Sequence, residues 1–392
     1  MNAITKLFAC VLLAVSCCTY TRAQDTAVKT LRVAVLAPLY IDSAFNGTAY
    51  KLGTGNLPRY MLPGLEFYNG VMLAADSLQK EHVALQVWVY DTKKNGQPIN
   101  TLIAGLEYMN FSLIIASLTN PVEQKLLSDF SFKKNIPVVS ATYPNDAGLS
   151  SNPFFIMLNS SLRTHVEGLY NYVKRNYPVG KILYLTKKGL VEDRILAQFS
   201  AATAPGTRLK YTVTQLNDNF TADELLPLLD STRQNIIVCG TLNENFGTNL
   251  LNTLCAATAY RTTAIGMPTW DGLKAVNNSS CQQVEIVYST PYNYSRKNAF
   301  GASLVKQYRA RYAGRPSDMV FKGFESMYHF SKLLLLHRND FINHVSDTSY
   351  TIANAFSFEP ARLTNASFVP DYLENKKLYF VKMQAGSVKS IN

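Results

Sequence analysis

The chain has 392 residues, 47% of them hydrophobic and only 17% charged. That composition excludes an intrinsically disordered polymer and suffices for two hydrophobic cores. The formal net charge is +11, yet the basic residues fall in scattered pairs (Lys93–Lys94, Lys133–Lys134, Lys187–Lys188, Lys376–Lys377) rather than one block, so no nucleic-acid partner is expected.

The N-terminus carries Lys6, an apolar stretch from Leu7 to Cys18, and Thr21-Arg22-Ala23. This reads as a signal peptide over residues 1–23, with small residues flanking a cut after Ala23. Leu13-Ala14-Val15-Ser16-Cys17 offers a second reading, a lipobox that would leave Cys17 lipidated; Ala14 stands where such a box usually has Leu, and simple cleavage is preferred. The expected location is therefore periplasmic or otherwise exported. No later segment has the ~18 uninterrupted apolar residues of a membrane helix.

Behind the signal, short apolar runs alternate with amphipathic stretches. Strands are expected at 31–40, 83–92, 111–118, 136–141 and 153–158. Helices are expected between them at 66–81, 99–110 and 121–135. In the first helix Phe67, Val71, Ala74, Ala75 and Leu78 share one face. The third starts on a clear signal, with Asn120 as cap, Pro121 in the first turn and Glu123 completing a box. Strand, helix and strand at this spacing imply a parallel sheet with right-handed crossovers. The stretch 42–65 between the first strand and helix reads as a long polar loop rich in Gly and Pro.

A second series follows. A helix from Leu162 stops before Pro178-Val179-Gly180. Strands are expected at 181–186, 208–216, 235–241, 262–267 and 284–292. Helices fall at 191–203, after a Thr221/Glu224 capping box, and at 244–260. Two further helices, 297–313 and 318–345, precede a tail in which FSFEP and KKLYFVKMQAGSVKSI read as short strands with a turn at Ala385-Gly386.

The order and spacing of AVLAPLY, FYNGVMLAADSL, VWVYDT, LIIASLTNPVEQ and NIPVVSAT resemble the type I periplasmic binding proteins, the class of the leucine/isoleucine/valine-binding receptors. The resemblance covers roughly residues 31–380. It implies an α/β fold of two doubly wound lobes with mainly parallel sheets, hinged as a Venus flytrap. Residues 30–160 and 290–345 would form lobe one; residues 161–289 and 346–392 would form lobe two with the crossing and tail strands. It also implies a small, amino-acid-like or other polar ligand held between the lobes, and membrane subunits of an ABC-type transporter as partners. Carried onto this chain, the lobe-one ligand loops supply Ser117, Thr119, Ser140, Thr142 and Tyr143. The lobe-two loops supply Thr241, Asn243, Glu244, Trp270, Asp271 and Tyr292, an acidic residue among them to meet an ammonium. The chain departs from the pattern at Ala116-Ser117, where relatives often have Gly-Pro, and at Leu118–Pro121, where they have a serine cluster. The alternative reading is a non-transport envelope regulator on the same fold, such as a peptidoglycan-synthase activator, whose partner would be a cell-envelope polymer or synthase.

No GxSxG, HExxH or phosphate-loop motif is present, so no enzyme activity, cofactor or catalytic residue is expected. Gly53-Thr54-Gly55 lacks the third glycine of a dinucleotide fingerprint. A two-lobed glycosyltransferase is disfavoured by the export signal. His329, His337 and His344 read as packing or surface histidines, and Asp91 as a loop-start residue. Cleavage would leave Cys239, a buried strand residue by its surroundings, with Cys255 and Cys281, whose pairing the sequence leaves open. Without CxxC or Cys/His spacing, no metal is expected.

Overall fold

The structure, a computed structural model, describes residues 30–53, 57–202, 208–362 and 368–391. The expected signal peptide and Cys17 lie outside the described residues. The chain runs β1 (Leu31–Ala37), α1 (Leu62–Lys80), β2 (Leu85–Asp91), α2 (Ile99–Leu106), β3 (Leu113–Ala116), α3 (Pro121–Lys134), β4 (Val138–Ser140) and β5 (Phe155–Met157). It continues with α4 (Leu162–Asn176), β6 (Ile182–Thr186), α5 (Leu190–Ala201), β7 (Tyr211–Gln215), β8 (Asn235–Cys239), α6 (Glu244–Ala256), β9 (Thr262–Gly266) and β10 (Val284–Thr290). After α7 (Ala299–Tyr312) and α8 (Asp318–His337) come β11 (Phe358–Ala361), β12 (Tyr372–Asn375), β13 (Tyr379–Gln384) and β14 (Ser387–Ile391).

Two seven-stranded sheets result, in the orders β11-β12-β5-β4-β3-β1-β2 and β14-β13-β10-β9-β8-β6-β7. The strands that alternate with helices are parallel; β11, β13 and β14 pair antiparallel. Both faces of each sheet are covered, which is why its strands read as unbroken apolar runs. On β1, Val33, Val35 and Ala37 join one core with Phe67, Val71, Phe321 and Met327 of α1 and α8. Ala34 and Leu36 point the other way, to Leu102, Leu106 and Leu127 of α2 and α3. The second sheet is sandwiched likewise, with Phe246 and Leu250 of α6 on one face and Leu169, Val173 and Phe199 of α4 and α5 on the other.

Local chemistry sets several element ends. The Asn120 side chain accepts the Glu123 N–H at 3.0 Å to start α3. Thr221 and Glu224 form a reciprocal capping box ahead of a short helix at 222–225. The 42–65 stretch differs from the loop expected of it. Ile41–Ala44 forms one helical turn, residues 45–46 and 49–50 pair as a small hairpin, and α1 begins at Leu62 with Pro63 in its first turn. The Asp91 carboxylate fixes the root of this insertion, accepting the N–H groups of Leu39, Tyr40 and Ile41 at 2.9, 3.1 and 2.8 Å. The helix expected over 318–345 also ends early, at His337, because Arg338 takes φ 49°; a 3₁₀ stretch continues to His344. There His337 and His344 stack at 4.1 Å and pair with Asp347 and Asp340, while His329 is buried in the core.

The chain passes between the sheets at 158–161, 291–298 and 376–378. The first and last passages are tied together. Ser160 Oγ donates to the Asn375 carbonyl at 2.7 Å, Asn375 Nδ2 donates to the Leu158 carbonyl at 3.1 Å, and Glu374 accepts the Ser161 N–H at 2.8 Å.

Cys255 and Cys281 form a disulfide, their Cα atoms 4.9 Å apart, and Cys239 is buried. The bridge closes a 26-residue separation that runs from the end of α6 past β9. Chain entropy alone assigns such a loop about 3.5 kcal/mol. Cys255→Ser/Cys281→Ser is therefore expected to lower stability by about 3 kcal/mol, read by urea denaturation; an unchanged midpoint would contradict this. No helix among the described residues is long and apolar enough to cross a membrane.

Candidate functional site

The carboxyl ends of both sheets converge on a cavity of about 160 Å³. Pro144, Asn159 and Ser160 line it from the ends of β4 and β5; Pro268 and Asp271 from the end of β9. Thr290, Pro291 and Tyr292 of the middle passage and His165 of α4 complete it. Open α/β sheets place ligands at such edges. A second hollow of about 240 Å³, between α2 and α3, is lined by Ile103, Leu126 and Phe130 and lies away from these strand ends.

In lobe one the three neighbouring strand-end loops meet. Ser117 Oγ lies 3.4 Å from Thr142 Oγ1, and Asn159 Nδ2 donates to the Thr142 carbonyl at 2.5 Å. The hydroxyls expected to face a ligand are bound internally. Thr142 donates to the Leu118 carbonyl at 2.8 Å, and the buried Ser140 donates to Gln124 Oε1 at 3.1 Å. Thr119 gives both its N–H and its hydroxyl to Glu123 Oε2, at 2.9 and 3.1 Å. The other oxygen of Glu123 takes Lys93 Nζ at 2.5 Å. A buried hydroxyl such as that of Ser140 must find such a partner or carry a desolvation penalty. Tyr143 packs its ring against the core on the outer face of the sheet.

Lobe two divides the same way. Thr241 is fully buried; its hydroxyl donates to Glu192 Oε1 at 2.7 Å and accepts the Asn243 N–H at 3.0 Å. Asn243 caps α6 by accepting the Phe246 N–H, and Glu244 is exposed on the first turn. Trp270 is 1% exposed and belongs to the core. It fills the space above Gly266, where a Cβ would lie 1.9 Å from the indole ring. Asp271 and Tyr292 alone among the expected residues line the cavity. Asp271 accepts the Tyr288 hydroxyl at 3.0 Å. Desolvation between the cleft walls pushes its carboxyl above the ordinary aspartate range. Tyr292 stacks on Tyr294 at 5.1 Å, and burial raises its phenol well above the usual value.

Sequence reasoning passed over three residues here. Lys322 of α8, 4% exposed, donates to Asn159 Oδ1 at 2.8 Å and sets its ammonium 4.1 Å from the Tyr292 ring. Burial lowers it to about 8. A lysine inside the apolar run MVFKGF was the available signal. His165 is buried, its Nδ1 2.8 Å from Ser289 Oγ, and desolvation holds it down to about 4. Ser289 is fully buried, so its hydroxyl is not presented to the cavity. Asn159 joins the β4 and β5 loops to α8 through Thr142 and Lys322. Among the described residues no group of His, Cys, Asp and Glu could hold a metal ion.

No model of a known protein family matches the chain, and no curated protein matches it in sequence. Solved structures do match in fold. LivJ of Streptococcus pneumoniae, a branched-chain amino acid transporter substrate-binding protein solved with isoleucine, shares 13% identity over 93% of this chain and 99% of its own, with a TM-score of 0.52. A substrate-binding protein of an ABC transporter from Sphaerobacter thermophilus shares 11% over 93% and 98%, at 0.60. A branched-chain amino acid ABC transporter periplasmic ligand-binding protein from Burkholderia xenovorans shares 11% over 92% and 95%, at 0.59. The chain has the two-lobed fold of the type I periplasmic binding proteins.

Proposed function

We propose that this chain is an extracytoplasmic solute-binding protein that holds a small polar solute between its lobes and presents it to an ABC-type transporter. One observation carries the reading: a cavity at the carboxyl ends of both sheets, walled from both lobes and from the passages joining them. A solute that touches both walls binds the closed arrangement better than the open one, and this difference in affinity is what shifts the population. The cavity is smaller than the roughly 300 Å³ at which drug-sized pockets begin, which fits a solute of a few heavy atoms. The three solved structures described above are named for ABC-transporter substrate or ligand binding, one of them with isoleucine bound, which supports the transport role.

The test is a thermal-shift screen of the purified chain against amino acids, small peptides, sugars and cell-wall fragments. A true ligand at a hundredfold excess over its dissociation constant should add about 2.7 kcal/mol. Absence of any shift, together with capture of an envelope synthase, would overturn the transport reading.

A further inference from the structure

We propose that the group this cleft recognises is a protonated amine on a ligand without a carboxylate, a small alkyl amine or diamine. The proposal rests on the solute-binding reading and names its substrate class.

The first support is charge. Of the residues lining the cavity, Asp271 alone bears a carboxyl, and His165 is held neutral by burial. No cation lies within ion-pair distance of Asp271 among the described residues. Arg296 is taken by Asp318 at 2.5 Å, and Glu325 is enclosed by Asn354 and Tyr294. Lys322 stands behind the wall, bound to Asn159 and the Tyr292 ring, and its field favours the ionised form of Asp271.

The second support is the direction of the hydrogen bonds. Ser160 spends its proton on the Asn375 carbonyl at 2.7 Å, and Thr290 spends its proton on the Tyr292 carbonyl at 3.1 Å. Ser160 keeps its lone pairs, and Thr290, which also accepts the Tyr292 N–H at 3.4 Å, keeps one. Pro144, Pro268 and Pro291 contribute carbonyls but no N–H. The wall thus sets these acceptors beside one carboxylate, an arrangement that complements an ammonium.

The third support comes from lobe one, where a ligand carboxylate would need donors. Thr119, Ser140 and Thr142 have already given theirs to Glu123, Gln124 and Leu118. Glu123 acts as a resident carboxylate, taking the Thr119 N–H, the Thr119 hydroxyl and the Lys93 ammonium.

The experiment is calorimetric titration and thermal shift of the full chain with n-butylamine, 1,4-diaminobutane, n-butyrate and leucine. The amines are expected to raise the melting temperature, and butyrate and leucine to bind at least tenfold more weakly. Asp271→Asn should lose the amine response at least tenfold with an unchanged melting temperature in the absence of ligand, and Asp271→Glu should recover part of it. Amine binding that persists in Asp271→Asn overturns the proposal. So does butyrate or leucine binding as tightly as the amines, an outcome that leaves the solute-binding reading standing. Failure of every probe here and in the wider solute screen overturns both.

Discussion

Gly323→Ala is expected to lower the unfolding midpoint by about 10 °C, although alanine is the better helix former. In a free helix this change is favourable by about 1 kcal/mol. Here α8 crosses α1 with main chain against main chain. A Cβ on Gly323 would lie 2.1 Å from the Phe67 carbonyl oxygen and 3.2 Å from its Cα. The contact is reciprocal, since a Cβ on Gly70 would lie 2.0 Å from the Val320 carbonyl oxygen and 2.9 Å from the Phe324 N. No rotamer change relieves a clash with backbone, so the helices must separate. Separation loosens Phe67, Val71, Phe321 and Met327, which form the core under β1. Overpacking alone costs about 1–3 kcal/mol, and the opened core adds to it. At about 2–4 °C per kcal/mol for a unit of this size, a total of about 3 kcal/mol gives the stated shift. Gly70→Ala should behave alike, and the double variant should fall short of the sum, because one separation relieves both clashes. Circular dichroism melts decide it; a midpoint equal to or above that of the parent would refute the close crossing.

Replacing Glu325 or His165 should tilt the pH dependence of stability in opposite senses, by about 3 kcal/mol each. Glu325 is 1% exposed; desolvation raises its carboxyl to about 7 despite hydrogen bonds from Asn354 and Tyr294. Between the ordinary value of 4.5 and about 7 the folded chain holds the proton more firmly than the unfolded chain. Its contribution is complete below 4.5 and is lost as pH rises through 7. His165 runs the other way. It is ordinarily 6.5 and falls to about 4 in the fold, so the unfolded chain holds more protons across that interval and stability rises with pH. Each gap, at about 1.4 kcal/mol per pH unit, comes to about 3 kcal/mol. In the parent the two slopes nearly cancel between pH 4.5 and 6.5. Relative to the parent, Glu325→Gln should gain stability as pH is raised across this interval, and His165→Asn should lose it. Urea denaturation at successive pH values measures both; profiles parallel to the parent for either variant would show that the residue does not titrate as described.

The architecture was readable because both sheet faces are covered. Val33 and Ala34 point to opposite sides, yet each meets an apolar core, so β1 announces itself as a run. The caps at Asn120 and Thr221 marked helix starts because those bonds are local. Strand β12 was not readable, for YLEN has no apolar pattern. Glu374, 2% exposed, is stabilised there by Lys376, Thr164 and Ser161, two of which lie more than two hundred residues away. The site shows the same division. Strand ends could be located, but not which hydroxyl faces the cleft. Ser140 is turned inward by Gln124 and Thr241 by Glu192, and neither pairing leaves a trace in local sequence. Trp270 was expected in the cleft and lies in the core, because Gly266 and Gly247 leave room beneath it. Lys322 gains its place from Asn159, 163 positions earlier.

The passage at 376–378 links β12 of one sheet to β13 of the other. Both sheets therefore receive strands from one short stretch, residues 372–391. Neither sheet is complete until that stretch is in place, and the hydrogen bonds of Asn375 to the Leu158 and Ser160 passage span more than two hundred residues. Contacts so remote are paid for in loop-closure entropy before they are made, which slows folding. Truncating the chain before Tyr372 would remove strands from both sheets at once rather than trim one lobe.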